Sequence, residues 1–227
     1  MRRIAWFLMF CITMSFGHQA IAAGDGCSDV TITPSVGFRI LDAQVAYDFS
    51  QSANDIRALA ASLGNPIAEQ SRVILRGLTV ANYTWQVEVA SSAYAARGGG
   101  WCVFPKEVTL SIGYSGDMMV YVQSEYPEGT CQNQAILTHE NTHVLINRET
   151  LVEYLPHFRE AIEAVMKSSS FPAWFESKER GADYAVKSIE TAIEVESNAF
   201  LATRDARHAN LDSPASLSMT RASCLSW

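Results

Sequence analysis

The first half of the chain alternates hydrophobic and polar residues with a period of two, which is the pattern of half-buried β-strands. Tyr83 and Trp85, for example, would share one face of a strand. One early helix interrupts the alternation at residues 52–63, where Ser52 is suited to cap the first turn. A turn at residues 114–117 predicts that the last two strands form an antiparallel hairpin. The predicted strands are residues 30–33, 45–49, 78–89, 108–113 and 118–124.

After residue 129 the hydrophobic period lengthens to that of amphipathic helices. One helix is predicted from about residue 133 to 155, where Pro156 would end or kink it before a further helix to about 167. A break at residues 168–175 precedes a long helix over roughly 182–209. The predicted fold class is therefore α+β, with an antiparallel sheet first and helices after it.

The first 22 residues differ in composition from the rest of the chain. Two arginines precede an almost wholly apolar stretch at residues 4–16, and the Ala-Ile-Ala of residues 20–22 matches a cleavage site for a signal peptidase. The stretch is too short and wrongly flanked for a membrane anchor. We therefore expect residues 1–22 to be a signal peptide and residues 23–227 to form one domain that is exported, either periplasmic or secreted.

The charge balance limits the classes of partner. The chain has 17 basic and 24 acidic residues and a formal net charge of −7, which becomes about −9 without the two N-terminal arginines. An acidic protein does not attract nucleic acid or anionic membranes through its general field. We expect a peptide or protein substrate, no nucleic acid and no stable membrane insertion after signal cleavage, and the oligomeric state stays open.

Four cysteines remain after removal of the signal segment, at positions 27, 102, 131 and 224. An even number of cysteines in an exported chain predicts two disulfides, with three possible connectivities. The preferred pairing joins Cys102 to Cys131 and Cys27 to Cys224, which would tie a strand to a helix and anchor both ends of the domain. A cysteine zinc site is not expected because the chain has no C-x-x-C pair.

The sequence His139-Glu140-Asn141-Thr142-His143 has the pattern H-E-x-x-H. On a helix, residues four apart point about 40° from each other, so both imidazoles can bind one Zn²⁺. Glu140 lies about 100° around the helix from His139, where it can act as general base toward a water molecule. The alternative is an amphipathic helix with two surface histidines and an incidental glutamate.

A catalytic zinc ion needs a third protein ligand. The late helix has an apolar stripe of Val186, Ile189, Ile193 and Phe200, with Glu196 in the same stripe. A buried carboxylate must be paired or must bind a metal, so Glu196 is the preferred ligand, and an ion pair with an arginine is its alternative role. The other candidates are Glu149, Glu190, Glu194 and His208.

With this motif the chain resembles the zincin metallopeptidases, in which an antiparallel sheet precedes the H-E-x-x-H helix and a later helix can supply a glutamate ligand. The resemblance implies zinc as cofactor, His139 and His143 as ligands and Glu140 as the base. Residues 131–144 and 204–224 look like uncharacterised exported bacterial zinc proteases. The chain departs from the pattern in one respect: the expected glutamate followed four residues later by aspartate is replaced by Glu194 followed by Asn198.

The leading hypothesis is an exported zinc-dependent peptidase that holds an extended peptide against an edge strand at residues 118–124. An amidase acting on cell-wall peptides would use the same chemistry. The alternative from another class is a non-catalytic, zinc-containing binding or structural protein of the cell envelope. Donors that would stabilise an oxyanion in an enzyme are Tyr154, His157 and Tyr184.

Overall fold

A computed structural model of the protein describes residues 26–27, 33–65 and 75–227. The predicted signal peptide and most of the predicted strand at 30–33 lie outside the described residues. None of the helices in the described part has the length and hydropathy that a membrane span requires. The elements are β1 (Ser35–Leu41), β2 (Val45–Asp48), α1 (Ala53–Ser62), β3 (Gly77–Ala95), β4 (Trp101–Val122), α2 (Cys131–Met166), β5 (Ala173–Phe175), α3 (Lys178–Leu211) and α4 (Pro214–Ala222).

The sheet is built around β4, which is 22 residues long. Strand β3 pairs with it antiparallel along nearly its whole length, from Gly77 opposite Val122 to Ala95 opposite Trp101. The three shorter strands, β1, β2 and β5, pair with β4 residues that β3 also pairs with. They therefore lie on the side of β4 opposite β3. The sheet is thus a five-stranded sheet with one long central strand.

The expectation of an antiparallel sheet is corrected by this topology. Strands β1 and β2 both run parallel to β4, whereas β3 and β5 run antiparallel to it, so the sheet is mixed. β1 and β2 follow one another along the same edge of β4, and only the three residues 42–44 separate them, so the two strands run in the same direction. The coarser prediction, a protein with both helices and a sheet, is confirmed.

The predicted hairpin at residues 108–124 is wrong. The turn at 114–117 is instead a bulge inside β4, where the partner of Ser115 is Asn82 and the partner of Met119 is Val80. Three β4 residues, 116–118, therefore lie opposite a single residue of β3. Gly116 accommodates the bulge with a φ of +69°. The continuous partner strand β3 holds both halves of β4 in one line, and this pairing outweighs the local preference for a turn.

One face of the sheet carries the hydrophobic core. The helices α2 and α3 pack together on this face. Their fully buried contacts include Phe158 of α2 and Phe200 of α3. The side chains of β4 that point into this core are Val108, Leu110, Ile112, Tyr114, Met118, Val120 and Val122.

The helices agree with the sequence-based prediction in position and differ in their ends. Helix α1 is confirmed, with a Ser52–Asp55 capping box at its start. Helix α2 runs unbroken through Pro156, where the prediction expected an end or a kink. Pro156 has no N–H, so the carbonyl of Val152 loses its hydrogen bond within the helix. Both residues are exposed, so water can replace the missing hydrogen bond. Helix α4 was not predicted.

Both disulfides differ from the preferred pairing, although the prediction of two disulfides is confirmed. Cys27 bonds to Cys102 and Cys131 bonds to Cys224. Cys102 is the second residue of β4. Cys131 is the first residue of α2, which begins after the opposite end of that strand. Because β4 is one continuous strand, the length of the sheet separates Cys102 from Cys131. A folded hairpin would have brought them closer.

Candidate metal site

The first four turns of α2 place two histidines on one face. Thr130 caps the helix through a hydrogen bond from the Asn133 N–H to its hydroxyl oxygen, 3.2 Å long. His139 and His143 follow one helical turn apart, and their ring centroids are 5.0 Å from each other. The apolar residues on the same helix, among them Ile136 and Val144, pack into the core and fix the orientation of this face.

The third group at this face is Asp212, the residue that ends α3. Its Oδ1 atom lies 3.1 Å from His139 Nε2 and 3.1 Å from His143 Nε2. The three ligand atoms lie within 4.8 Å of one another. Donor atoms bound to one tetrahedral zinc at about 2.0–2.1 Å are separated by roughly 3.3 Å. The separations to Asp212 are therefore compatible with a metal ion held by two imidazoles and one carboxylate.

The charges in this group stabilise one another. Burial disfavours the carboxylate of Asp212, but hydrogen bonds to His139 and His143 and their positive charges outweigh burial and lower its pKa. Burial likewise disfavours the charged ring of His143, yet the hydrogen bond to Asp212 and the charges of Glu140 and Asp212 raise its pKa. The buried negative charge of Asp212 thus stabilises a positive charge located between it and the two imidazoles. This is the electrostatic environment of a cation site.

Glu140 is buried on the sheet side of α2, with 4% of its surface exposed. The Thr79 hydroxyl lies 2.9 Å from Glu140 Oε2 and 3.0 Å from the Glu140 carbonyl oxygen. Burial raises the pKa of Glu140, and the charges on His143 and His139 offset part of this rise. A carboxyl group with a raised pKa, beside two histidines that could hold a metal ion, has a property that general bases share.

His208 lies one turn before Asp212 on α3, and it contacts the site without joining the three-ligand group. Its Nδ1 atom is 2.8 Å from Nδ1 of His143, and its Nε2 atom is 3.3 Å from Oδ1 of Asn147. Burial, together with positive charge on His143 and Arg204, lowers the pKa of His208 to about 4. The imidazole of His208 is therefore neutral at physiological pH, and it touches His143 on the ring edge that faces away from Asp212.

The preferred third ligand, Glu196, lies elsewhere. Sixteen residues separate Glu196 from Asp212 along the same helix, which is about 24 Å of helix axis. The buried stripe of α3 runs through Ser197 rather than Glu196, and the Ser197 hydroxyl lies 3.1 Å from the Tyr83 hydroxyl. Glu196 is only half-buried. The structure thus brings Asp212, and not Glu196, together with the two histidines.

The other candidates also lie outside the three-ligand group. Glu149 and Glu194 are exposed, and Glu190 is 3.8 Å from Lys187 on the same helix. The proposed oxyanion donors have other partners: the Tyr154 hydroxyl is 2.6 Å from the Thr203 hydroxyl, and the Tyr184 ring is tilted against the ring of Phe171 at 5.6 Å between centroids. His157 is exposed against the ring of Tyr154.

Sequence analysis missed Asp212 because the predicted helix ended at about residue 209, before this residue. One signal was present in the sequence: His208 and Asp212 are four residues apart, the same spacing as His139 and His143. Two pairs of potential ligands at helical spacing, on helices that pack against each other, can face a common point. A search for pairs of ligand residues at this spacing would have found Asp212 as the partner of His208.

Gly77 gives a test of how closely the site is built around Glu140. A Cβ atom at Gly77 would lie 2.5 Å from Glu140 Oε1 and 2.7 Å from its Cγ, so the Gly77→Ala variant must displace this side chain. We expect any hydrolytic activity to fall about tenfold or more, because misplacing a catalytic group by about 1 Å can cost 10²-fold. Zinc affinity should stay close to that of the wild type.

The matched control is Gly37→Ala in β1, where the nearest atom to a new Cβ would be Thr109 Oγ1 at 3.7 Å. Steady-state kinetics and zinc titration of both variants check the expectation. Full activity in the Gly77→Ala variant would show that the position of Glu140 does not matter for the reaction.

No protein-family model, curated protein or solved structure matches this chain. The arguments for its function therefore rest on the geometry and chemistry of the site itself.

Proposed function

We propose that the protein is a zinc-dependent hydrolase, most simply an exported peptidase. The observation that carries this proposal is the convergence of His139 Nε2, His143 Nε2 and Asp212 Oδ1, with the buried carboxyl of Glu140 on the same helix beside them. Two imidazoles and one carboxylate form a ligand set that leaves one position of a tetrahedral zinc open. This is the ligand set of a catalytic rather than of a closed structural site.

The chain's own residues would divide the work of amide hydrolysis. Zinc, when bound by His139, His143 and Asp212, supplies acidification of a water molecule and polarisation of the substrate carbonyl. Glu140 would accept the proton and later donate it to the leaving amine. Thr79 donates its hydrogen bond to Oε2 of Glu140, so Oε1 is the atom that exchanges the proton. Gly77, without a side chain, lets Oε1 pack closely against the backbone of β3.

A peptide substrate is supported by the strand next to Glu140. The strand at 118–124 is not an edge, because Met119, Val120 and Tyr121 pair with β2 on one side and with β3 on the other. Among the described strands, β3 pairs with β4 alone, which leaves its second edge for an added strand. The first residues of β3 contact Glu140, and a cleft of about 370 Å³ is lined by Tyr83–Trp85 of β3 and by residues of α3. An extended peptide along β3 would lead to the base.

One observation favours the alternative, a zinc-containing protein without catalysis. Only 9% of the His139 side chain, 11% of His143 and 20% of Asp212 are exposed, so the metal-binding atoms are largely enclosed. A closed site would hold zinc for stability, in a binding or structural protein of the cell envelope. The two proposals share the metal and differ in whether Glu140 has a chemical role.

Export is part of the same proposal. Disulfides persist in oxidising compartments, and this chain has two of them. The apolar segment at the start of the sequence is the proposed export signal. We place the protein in the periplasm or outside the cell.

Metal analysis tests the site first. We expect about one zinc ion per wild-type chain, less than about a tenth of that in Asp212→Ala and His143→Ala, and an unchanged content in the matched control Glu196→Ala. Hydrolysis of unfolded protein substrates should stop with a chelator and return with zinc. Wild-type protein that stays free of zinc after incubation with the ion would end the proposal. Zinc lost in Glu196→Ala and kept in Asp212→Ala would assign the third ligand to Glu196.

A further inference from the structure

We propose that His208 is a positioning residue that fixes the ring of His143 as a metal ligand, through a buried hydrogen-bond chain that ends at Asn147 and Tyr114. This inference rests on the zinc site proposed above and adds a residue to it. The chain of contacts runs from His143 Nδ1 to His208 Nδ1 (2.8 Å) and from His208 Nε2 to Asn147 Oδ1 (3.3 Å).

The direction of the chain follows from what each group can donate. The Tyr114 hydroxyl donates to the Asn147 carbonyl oxygen at 3.0 Å and lies 3.2 Å from Asn147 Oδ1. Asn147 Oδ1 is thus an acceptor, so Nε2 of His208 carries the proton that it receives. In the tautomer with its proton on Nε2, the His208 ring has an acceptor at Nδ1, which lies 2.8 Å from Nδ1 of His143. The group that donates to it is Nδ1–H of His143.

This assignment determines the other nitrogen of His143. With the proton on Nδ1, neutral His143 has a lone pair on Nε2, which lies 3.1 Å from the carboxylate oxygen of Asp212. A lone pair and a carboxylate oxygen at this distance need a positive charge between them, either a proton on Nε2, as in the hydrogen bond described above, or a metal ion in its place. The hydrogen-bond chain therefore prepares the atom of His143 that faces Asp212 to bind a metal ion.

The far end of the chain is held by the core of the protein. Asn147 is 4% exposed, and it lies one turn after His143 on α2. Tyr114 is 3% exposed and belongs to the core-facing side of β4. Four residues from α2, α3 and β4 thus form one chain, which couples the position of the His143 ring to the packing of both helices on the sheet. A surface histidine would not have such a set of partners.

The test compares three variants by zinc titration. His208→Leu removes the acceptor at similar size, and we expect its zinc dissociation constant to rise about 10- to 100-fold, as for the loss of other groups that orient metal ligands. His208→Gln keeps an acceptor oxygen and should remain within about threefold of the wild type. His157→Leu removes the exposed histidine of α2 and is the control for loss of an imidazole away from the site.

A second measurement needs no variant. In the zinc-loaded wild type labelled with ¹⁵N-histidine, we expect the proton on Nδ1 of His143 and on Nε2 of His208. The proton on Nδ1 of His208 would overturn the proposal, and so would an unchanged affinity in His208→Leu or an equal loss in His208→Gln. In these cases the wild type still binds zinc, so the zinc site itself stands. A wild type that binds no zinc would overturn both.

Discussion

Replacing Glu140 by glutamine is expected to lower hydrolysis by about 10³-fold, while the protein still holds one zinc ion per chain. Glutamine keeps the size of the side chain and the acceptor for the Thr79 hydroxyl, but it cannot take a proton. The three ligand atoms belong to other residues, so the metal site is untouched. The measurement is kcat/KM together with zinc content. The control is Glu149→Gln, an exposed glutamate on the same helix.

The same variant should be more stable than the wild type when both lack zinc. Burial raises the pKa of Glu140 above its unfolded value, so the folded state favours the protonated form. As the pH rises through the folded pKa, the ionised carboxylate costs stability, and glutamine does not have this cost. At pH 7 we therefore expect Glu140→Gln to have the higher free energy of unfolding, and below the unfolded pKa of 4.5 the difference should vanish.

These two readouts distinguish the two proposed functions. A hydrolase predicts loss of activity together with a gain in stability, which is the usual relation at a strained catalytic site. A structural zinc protein would show the gain in stability alone, with no activity in either form. An enzyme that kept full activity in Glu140→Gln would require another base and would contradict the assignment of Glu140.

The parts of the fold that sequence analysis predicted correctly are those fixed by local patterns. Helix α1 depends on the capping box of Ser52 and Asp55, which neighbouring residues form by themselves. The two long helices follow from their apolar period, and β3 follows from its alternation. Each of these signals is contained within one element, so a single sequence is enough to detect it.

Strand pairing was not predictable in the same way. The residues at 114–117 have the composition of a turn, yet they lie in β4 because β3 pairs with both halves of the strand. The parallel pairing of β1 and β2 with β4 depends on contacts about 70 positions apart in the chain, as between Ser35 and Glu107. Such pairings compete over the whole chain, and local composition does not decide among them.

The candidate site shows the same division. His139, Glu140 and His143 form a motif within five residues, and the structure places the two histidines together at one face of α2. The third group depends on which turn of α3 crosses α2 at that point. The predicted apolar stripe of α3 contained Glu196, whereas the buried residue is its neighbour Ser197. Because of this error of one residue, Glu196 was preferred as the third ligand. The crossing of two helices is a property of tertiary packing.

The disulfide between Cys131 and Cys224 is expected to be the strongest single support of the metal site. Cys131 is the first residue of α2, eight residues before His139, and Cys224 follows α4, twelve residues after Asp212. The bond closes a loop of 93 residues that contains all three ligands. In the chain-entropy model, breaking a disulfide that closes a loop of this length gives the unfolded chain more conformational entropy, which lowers the free energy of unfolding by about 4–5 kcal/mol. Losses of 2–5 kcal/mol are typical when a native disulfide is removed.

We therefore expect the Cys131→Ser/Cys224→Ser variant to lose about 2–5 kcal/mol of unfolding free energy and also to bind zinc more weakly. The matched control is Cys27→Ser/Cys102→Ser, which opens a loop of 75 residues with a similar expected loss. Cys102 pairs opposite Tyr94, whereas the residues of β3 that contact Glu140 are at the other end of that strand. Denaturant unfolding and zinc titration of both variants, at temperatures where both are folded, separate general stability from the site. Equal zinc affinity in the two variants would show that the disulfide stabilises the fold without positioning the ligands, whereas a loss confined to Cys131→Ser/Cys224→Ser would show that it holds α2 and the end of α3 in register.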